Sequence, residues 1–359
     1  MKKNRIFVDV HVIQTVPPSC VNRDDTGSPK TAIYGGVRRA RISSQSWKHA
    51  MRLSFQDQFD EKDLGVRTKK IIGMIAEQIM EMDQSISNAE ERAKTIVKIA
   101  GLETKDDTSQ ALFFLGRKQA ENLAKLAVKE DYEKTEKKVA QAALNKDQGI
   151  DIALFGRMVA DDPSLNADAS AQVAHSISTH KVDNEYDYFT AIDELSPKDN
   201  AGAGMIGTVE FNSATFYRYS TVAVHDLFGQ LGNAEVTTKA IKEFVRAFVT
   251  SMPTGKQNTF ANRTLPDAVM IAVRLDQPVN LVGAFEEPIA ISPSFSGGYA
   301  EASSKKLSTY AKSVYATFAS EPYKTWHIGR GFELTKGEQN ISTILNELEN
   351  VIGEALVKL

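Results

Sequence analysis

The chain of 359 residues has one cysteine, Cys20, which excludes an internal disulfide and any multi-cysteine zinc site. That usage suits a reducing cytosol. No apolar run approaches the ~20 residues of a membrane span, so no membrane partner is expected. The opening "MKKNRIFVDVHVIQTV" begins with basic residues, but Asp9 and His11 break its apolar run, so secretion is not expected either. Excess positive charge is also missing: the formal net charge is -3, and any nucleic-acid binding must come from a local patch. Neither an internal repeat nor a low-complexity tract is present.

Catalytic and cofactor motifs are lacking too. "GAGMIG" (Gly202 to Gly207) matches G-x-G-x-x-G, yet a strand-like "TVEFNSATFYRY" follows where a dinucleotide fold needs a helix. "TGKQ" (254–257) lacks the spacing and the Ser/Thr of a phosphate loop. His175, His180 and Asp183 are not spaced for one face of a helix or strand, so no metal is expected. No Ser/His/Asp order or paired-carboxylate motif stands out, and no cofactor is implied.

What is present alternates between strand and helix signals. Residues 6–16 show a period of two, with Ile6, Val8, Val10 and Val12 on one side and Phe7, Asp9, His11 and Ile13 on the other. Pro17 and Pro18 are expected to end that strand, with a polar loop after them. Between about 60 and 147 the apolar spacing turns to three and four, as in "TKKIIGMIAEQIMEM", which predicts a helical insertion. "GIDIALFGRM" (149–158), "TVEFNSATFYRYSTVAV" (208–224) and "PDAVMIAVRL" read as strands. Residues 178–208 read as a long exposed hairpin or loop closed by a Gly/Pro/Asp/Asn-rich turn. Helices are predicted at about 237–252, with Ile241, Phe244, Val245, Phe248 and Met252 as one stripe, and at the C-terminus, where Ile344, Leu345, Leu348, Ile352 and Leu356 align.

One stretch concentrates positive charge. "YGGVRRARISSQSWKHAMR" carries Arg38, Arg39, Arg41, Lys48 and Arg52 with no acidic residue. Ser43 or Ser44 suits a helix N-cap. On the helix that follows, Gln45, Lys48, His49 and Arg52 share about one third of the circumference, opposite Trp47, Ala50, Met51 and Phe55. A helix N-terminus offers unpaired N–H groups, and the arginines before it add donors suited to phosphate oxygens. The alternative is a solvated helix whose charges only keep it soluble.

"PSCVNRDD…AIYGGVRRARISSQSWKHAMR" closely resembles the amino-terminal signature of the CasC-type backbone subunits of type I-E CRISPR Cascade complexes. The resemblance continues through "GIDIALFGRM", "AHSISTHKVDNEYDYFTAIDEL" and "EFNSATFYRY", and thins toward the C-terminus. It implies an α+β fold: a modified ferredoxin-like (RRM-like) palm with a large helical fingers insertion and a β-hairpin thumb. The palm would take residues 1–59, 149–177 and 209–359, the last with the C-terminal helices; the fingers would take 60–148 and the thumb 178–208.

The resemblance also implies partners: a crRNA, target DNA reached by guide pairing, copies of the chain itself and other Cascade subunits, all in the cytoplasm. Positions matching the family's RNA-backbone contacts are Arg23, Ser43, Ser44, Gln45, Lys48 and Arg52, with Arg38, Arg39, Arg41 and His49 in the same basic stretch. His49 stands where relatives often have Arg or Lys. Met158 and Phe189 match residues that wedge against bases at a kink; otherwise they would be packing residues. Lys134, Lys137 and Lys138 lie where relatives touch duplex DNA, but Glu133 and Glu136 interleave with them. No enzymatic activity is expected. Two other readings stand beside this one: a palm-loop endoribonuclease using Asp24 or Asp25, as in related type III backbone subunits, and a structural protein whose basic patch meets an acidic partner.

Overall fold

The computed structural model describes residues 5–105, 107–159, 162–192, 194, 202–292, 296–331 and 340–357. By its internal contacts the chain forms two compact units. The first comprises 1–51, 173–221 and 244–348, and the second 52–172, 222–243 and 349–359. The 60–148 span lies wholly within the second unit.

The first unit is built on an antiparallel sheet. Its path runs Lys324–Gly329, Ala268–Arg274, β1 (Phe7–Ser19), Gly202–Ala223, Ser176–Ser178, β3 (Val37–Ile42) and β2 (Thr31–Tyr34). β1 outruns its expected end at Pro17. Its ladder with Ala268–Arg274 reaches only Ile13, paired with Ala268, so the N–H groups missing from Pro17 and Pro18 cost that ladder nothing.

The period of two in β1 holds, but its polar side does not face water: Val8 through Ile13 are all buried. Asp9 accepts from Tyr219 Oη at 2.9 Å and from the Val279 N–H at 2.9 Å. His11 Nδ1 lies 2.8 Å from Tyr217 Oη, which accepts from the Leu281 N–H. Burial raises the Asp9 carboxyl to about 6 against the pull of these hydrogen bonds. Burial, together with Arg274 and His327, lowers the His11 imidazole to about 3, so the ring is neutral at pH 7.

β3 falls on "VRRARIS", an extended piece by its sequence, and pairs as a hairpin with β2, which falls in the expected polar loop. Tyr34 pairs with Val37, leaving Gly35 and Gly36 as a two-residue turn with φ +58° and +76°. Two consecutive left-handed residues define a type I′ turn, the reason two glycines stand there. Gly35 is also spatially obligatory, since a Cβ would fall 1.6 Å from the Glu286 carbonyl oxygen.

The 178–208 region, expected as a thumb, contains one arm of a hairpin and the start of the other. Glu185–Ile192 pairs antiparallel with the start of Gly202–Ala223, from Glu185↔Phe211 to Ile192↔Gly202. The segment "GAGMIG" is therefore strand. The expected Pro/Asp/Asn turn at 195–201 lies outside the described residues.

In the second unit, Ile71–Met82, Ala89–Ile99, Arg117–Ala127 and Lys137–Asn145 are helices as their spacing predicts, but the stretch is not all helix: Phe113–Gly116, in the helical-looking "QALFFLG", pairs as a strand with Gly65–Thr68. They share a core of Ile71, Ile75, Ile79, Ile96, Leu123 and Leu144, among others. "GIDIALFGRM" is a correction: it forms a short helix, Ile150–Phe155, bracketed by Gly149 and by Gly156 at φ +76°. Ile150-Asp151-Ile152 alternates as a strand would, and so short a run carries no helical periodicity to set against that. Here Ile150 through Leu154 are buried on every side. The predicted helices near 237–252 and at the C-terminus appear as Ala234–Thr250 and Ile341–Leu356. Their apolar stripes are buried, and Met252 lies just past its helix. A further helix, Gly298–Thr317, and the strand Lys324–Gly329 were not foreseen.

Candidate nucleic-acid interface

β3 leads straight into the helix α1 (Ser44–Phe55). Ser43 is its cap: the Ser46 N–H donates to Ser43 Oγ at 3.3 Å, and the Ser43 N–H donates to Asn22 Oδ1 at 2.9 Å. The apolar face is the one the periodicity indicates, with Trp47, Met51 and Phe55 each at most 1% exposed. What secures it was not legible. Trp47 Nε1 donates to Ser176 Oγ at 2.9 Å, and the guanidinium of Arg218 lies 3.7 Å from the Trp47 ring centre. Arg218 also donates to Gln14 Oε1 and to the Phe248 carbonyl. Full burial lowers this guanidinium to about 9.

The five cations of the basic stretch have different fates. Arg38 is exposed, whereas Arg39 is wholly buried, because successive strand residues face opposite ways. Arg39 donates to the carbonyls of Tyr34, Ser178, Phe285 and Glu286 at 2.9–3.2 Å. It clamps three chain segments and offers no donor to a ligand, which corrects its place among the phosphate-binding candidates. Arg41 is half-buried, donating to the Thr31 carbonyl and lying 3.1 Å from His175 Nδ1. Lys48 is half-buried on α1, between exposed Gln45 and His49.

Arg52 is held internally as well. Its Nε donates to Asp151 Oδ2 at 3.0 Å, its Nη2 to the Gly65 carbonyl at 3.1 Å, and its guanidinium lies over the Phe114 ring at 4.3 Å. Desolvation raises the Asp151 carboxyl, while Arg52 and the Gly65 N–H pull it down. The charge of Arg52 is matched inside the protein, so it is a weaker phosphate candidate than its helix position suggested.

The remaining candidates divide between the two units. Arg23 is exposed in the loop after β1 and, like Arg38, forms no salt bridge among the described residues. Asp24, in the same loop, is consumed by its own turn: its Oδ1 accepts from the N–H and Oγ1 of Thr26 and from the Ser28 N–H. These bonds, Thr26 foremost, hold its carboxyl below the usual range. Phe189 lies across the backbone of Gly207, its cross-strand partner, where a Cβ would meet the ring at 2.5 Å. It stays 38% exposed beside Tyr186 and Tyr188, two open rings. Met158 belongs to the second unit and is 86% exposed, which removes the packing explanation. There too, Lys137 pairs with Asp162, while Lys134 and Lys138 are exposed.

The histidines set aside as metal ligands are otherwise engaged. His180 accepts from the Thr215 N–H through Nε2, its Nδ1 lies 2.8 Å from the Lys181 carbonyl, and its ring stacks on Tyr299. Asp183 pairs with Lys181. No group of metal-binding side chains forms among the described residues.

A surface of exposed donors beside a rigid antiparallel sheet can be compared with known proteins. The sequence profile of the CT1975-like protein (Cas_CT1975) family matches residues 8–352. The chain belongs to that family. It is also similar to a chain of a "CRISPR RNA-guided surveillance complex, pre-nicking", with 32% identity, a TM-score of 0.81 and coverage of 96% of this chain and 100% of that one. A chain of a second "CRISPR RNA-guided surveillance complex" matches at 27% identity and TM-score 0.61, covering 97% of this chain and 99% of the other. No curated protein matches the chain. As a member of the CT1975-like family, the chain has an α+β architecture and, among its described residues, no helix long and apolar enough to cross a membrane.

Proposed function

We propose that the chain is a non-catalytic, crRNA-binding backbone subunit of a type I-E CRISPR surveillance complex in the cytoplasm. Copies line up along the guide, with the sheet unit as RRM-like palm, the helical unit as fingers and the 185–211 hairpin as thumb. The observation that carries this reading is the end-to-end similarity to chains of RNA-guided surveillance complexes. A subunit that must accept any spacer can grip only phosphate and sugar, which leaves base edges free to pair with target DNA.

Exposed Arg23 and Arg38, the half-buried Arg41 and Lys48, and the polar start of α1 through Ser43, Ser44 and Gln45 suit that grip. Met158 and Phe189, open to solvent, suit insertion where the strand kinks. Four cations per subunit imply a log–log salt slope of about −3. At Asp24 one carboxylate oxygen, Oδ1, accepts from Thr26 and Ser28, which fits a turn former.

The test is coexpression with the other complex subunits and a guide. Nuclease-treated wild-type assembly should keep a high A260/A280 ratio, and Arg23→Glu with Arg38→Glu should lose RNA without lowering the melting temperature. Normal RNA loading by that variant would remove this surface from the interface. Mg²⁺-dependent RNA cleavage abolished by Asp24→Ala or Asp25→Ala would establish the endoribonuclease instead.

A further inference from the structure

In the first unit, the loop after β1 and the base of the hairpin enclose a polar pocket of about 320 Å³. Arg23 and Ser28 line one side, Tyr186, Thr208 and Glu210 a second, and Lys256 a third. A pocket of this volume reaches the range of small-ligand sites. Register places the hairpin wall: Tyr186 pairs with Glu210 and Tyr188 with Thr208, so Tyr186, Thr208 and Glu210 share one face.

Lys256 is fixed by a strained backbone. It has φ +52°, and Gly255 beside it runs so close to the end of β1 that a Cβ would fall 2.0 Å from the Val21 carbonyl oxygen. Strain in a non-glycine residue persists only where the surroundings over-determine it. Among the described residues neither Arg23 nor Lys256 forms a salt bridge, although Glu210 lines the same pocket.

Glu210 is held by amides, not by a cation. Asn184 Nδ2 donates to Glu210 Oε1 at 2.6 Å, and Asn212 Nδ2 donates to Asn184 Oδ1 at 3.0 Å. Its other carboxylate oxygen remains as an acceptor. Two unpaired cations, one orientated carboxylate and an exposed aromatic ring form a set that neither bare phosphate nor DNA needs. Bare phosphate would be repelled by the carboxylate, and DNA has no sugar donor to satisfy it. A ribonucleotide satisfies all of it: phosphate on Arg23 and Lys256, 2′-hydroxyl donating to Glu210, sugar or base against Tyr186.

We infer that this pocket seats one ribonucleotide of the bound strand and that Glu210 distinguishes RNA from DNA by accepting its 2′-hydroxyl. The inference rests on the RNA-binding reading above and adds Lys256 and Glu210 to it.

The experiment uses the full chain, stripped of nucleic acid, with a fluorescent single-stranded RNA and the DNA of the same sequence, titrated at several salt concentrations. Lys256→Ala should weaken RNA binding about tenfold and reduce the steepness of its salt slope by about 0.7, the share of one phosphate contact. Glu210→Gln keeps an oxygen for Asn184 and removes the negative charge, so a 2′-hydroxyl keeps at most a neutral hydrogen bond in place of a charge-assisted one. Its preference for RNA over DNA should narrow about tenfold, with an unchanged melting temperature. If wild type binds RNA and either variant matches it in its own readout, the pocket assignment is overturned. If wild type binds no RNA at any salt concentration, the RNA-interface reading falls and this inference with it.

Discussion

Replacing Arg52 by alanine should unfold the helical unit before it affects any ligand. Arg52 Nε and Asp151 Oδ2 are 3.0 Å apart, with side chains 19% and 3% exposed. At an effective dielectric of about 20, charges at that distance attract by roughly 5–6 kcal/mol, and most of this offsets the desolvation of the two groups. Arg52→Ala leaves the desolvation of Asp151 opposed by the Gly65 N–H, donating at 2.7 Å, by its own backbone N–H and by Arg67. Breaking a buried pair from one side costs about 3–5 kcal/mol. The lost contacts with the Phe114 ring push toward the upper end.

The pH dependence carries a sign that separates this loss from simple truncation. The Asp151 carboxyl is already raised by burial, and Arg52 is its chief counterweight. Without Arg52 it rises further in the folded state, so the folded variant binds a proton that the unfolded chain releases near 4. The stability of the variant therefore falls as pH rises above about 4, and its deficit against wild type shrinks on acidification. Urea unfolding at pH 5 and pH 8 measures this. Asp151→Asn in the Arg52→Ala background should recover part of the loss at pH 8. A deficit below about 1 kcal/mol, or one equal at both pH values, would refute the buried-pair reasoning and return Arg52 to the phosphate-binding set.

Arg39→Ala should cost about 3 kcal/mol by chemical denaturation, since buried carbonyls of Ser178 and Phe285 lose their donor. The salt slope of RNA binding should stay as in wild type. Met158→Ala should leave stability within about 0.5 kcal/mol, given its exposure. Phe189→Ala should remove about 1–3 kcal/mol of stacking between the ring and a guide base, read as the matching loss of affinity for single-stranded RNA. Asp9, raised from 3.8 to about 6, binds its proton more tightly when folded. Its contribution to stability is complete below about pH 4 and is lost, by up to about 3 kcal/mol, as pH climbs through 6; the difference between the wild-type and Asp9→Asn profiles isolates it from the opposite loss on acidification that neutral His11 imposes.

Local spacing was enough to determine the buried stripe of α1, its serine cap, the helices between 71 and 145 and the strand character of 208–224. Each depends on neighbours within a turn or two along the chain. The pair Gly35-Gly36 carried a turn signal of the same kind, and a closer reading of two adjacent glycines between extended runs would have found it. "GIDIALFGRM" failed for the opposite reason: so short a run, buried on all sides, carries no helical periodicity on which such a reading depends.

Charge was the property that sequence could locate but not apportion. Arg38 and Arg39 are adjacent, yet one meets water and the other is enclosed by carbonyls 139 and 246 residues away. Arg52 lies on the expected helix face, but its partner Asp151 comes from 99 residues downstream. Lys256 and Glu210, 46 positions apart, share a pocket only because the sheet brings the loop and hairpin together. Sequence alone thus determined the elements whose spacing marks one buried face, because that preference is local. Which cations remain for a ligand was decided only by the tertiary structure, because burial and pairing are set by residues remote along the chain.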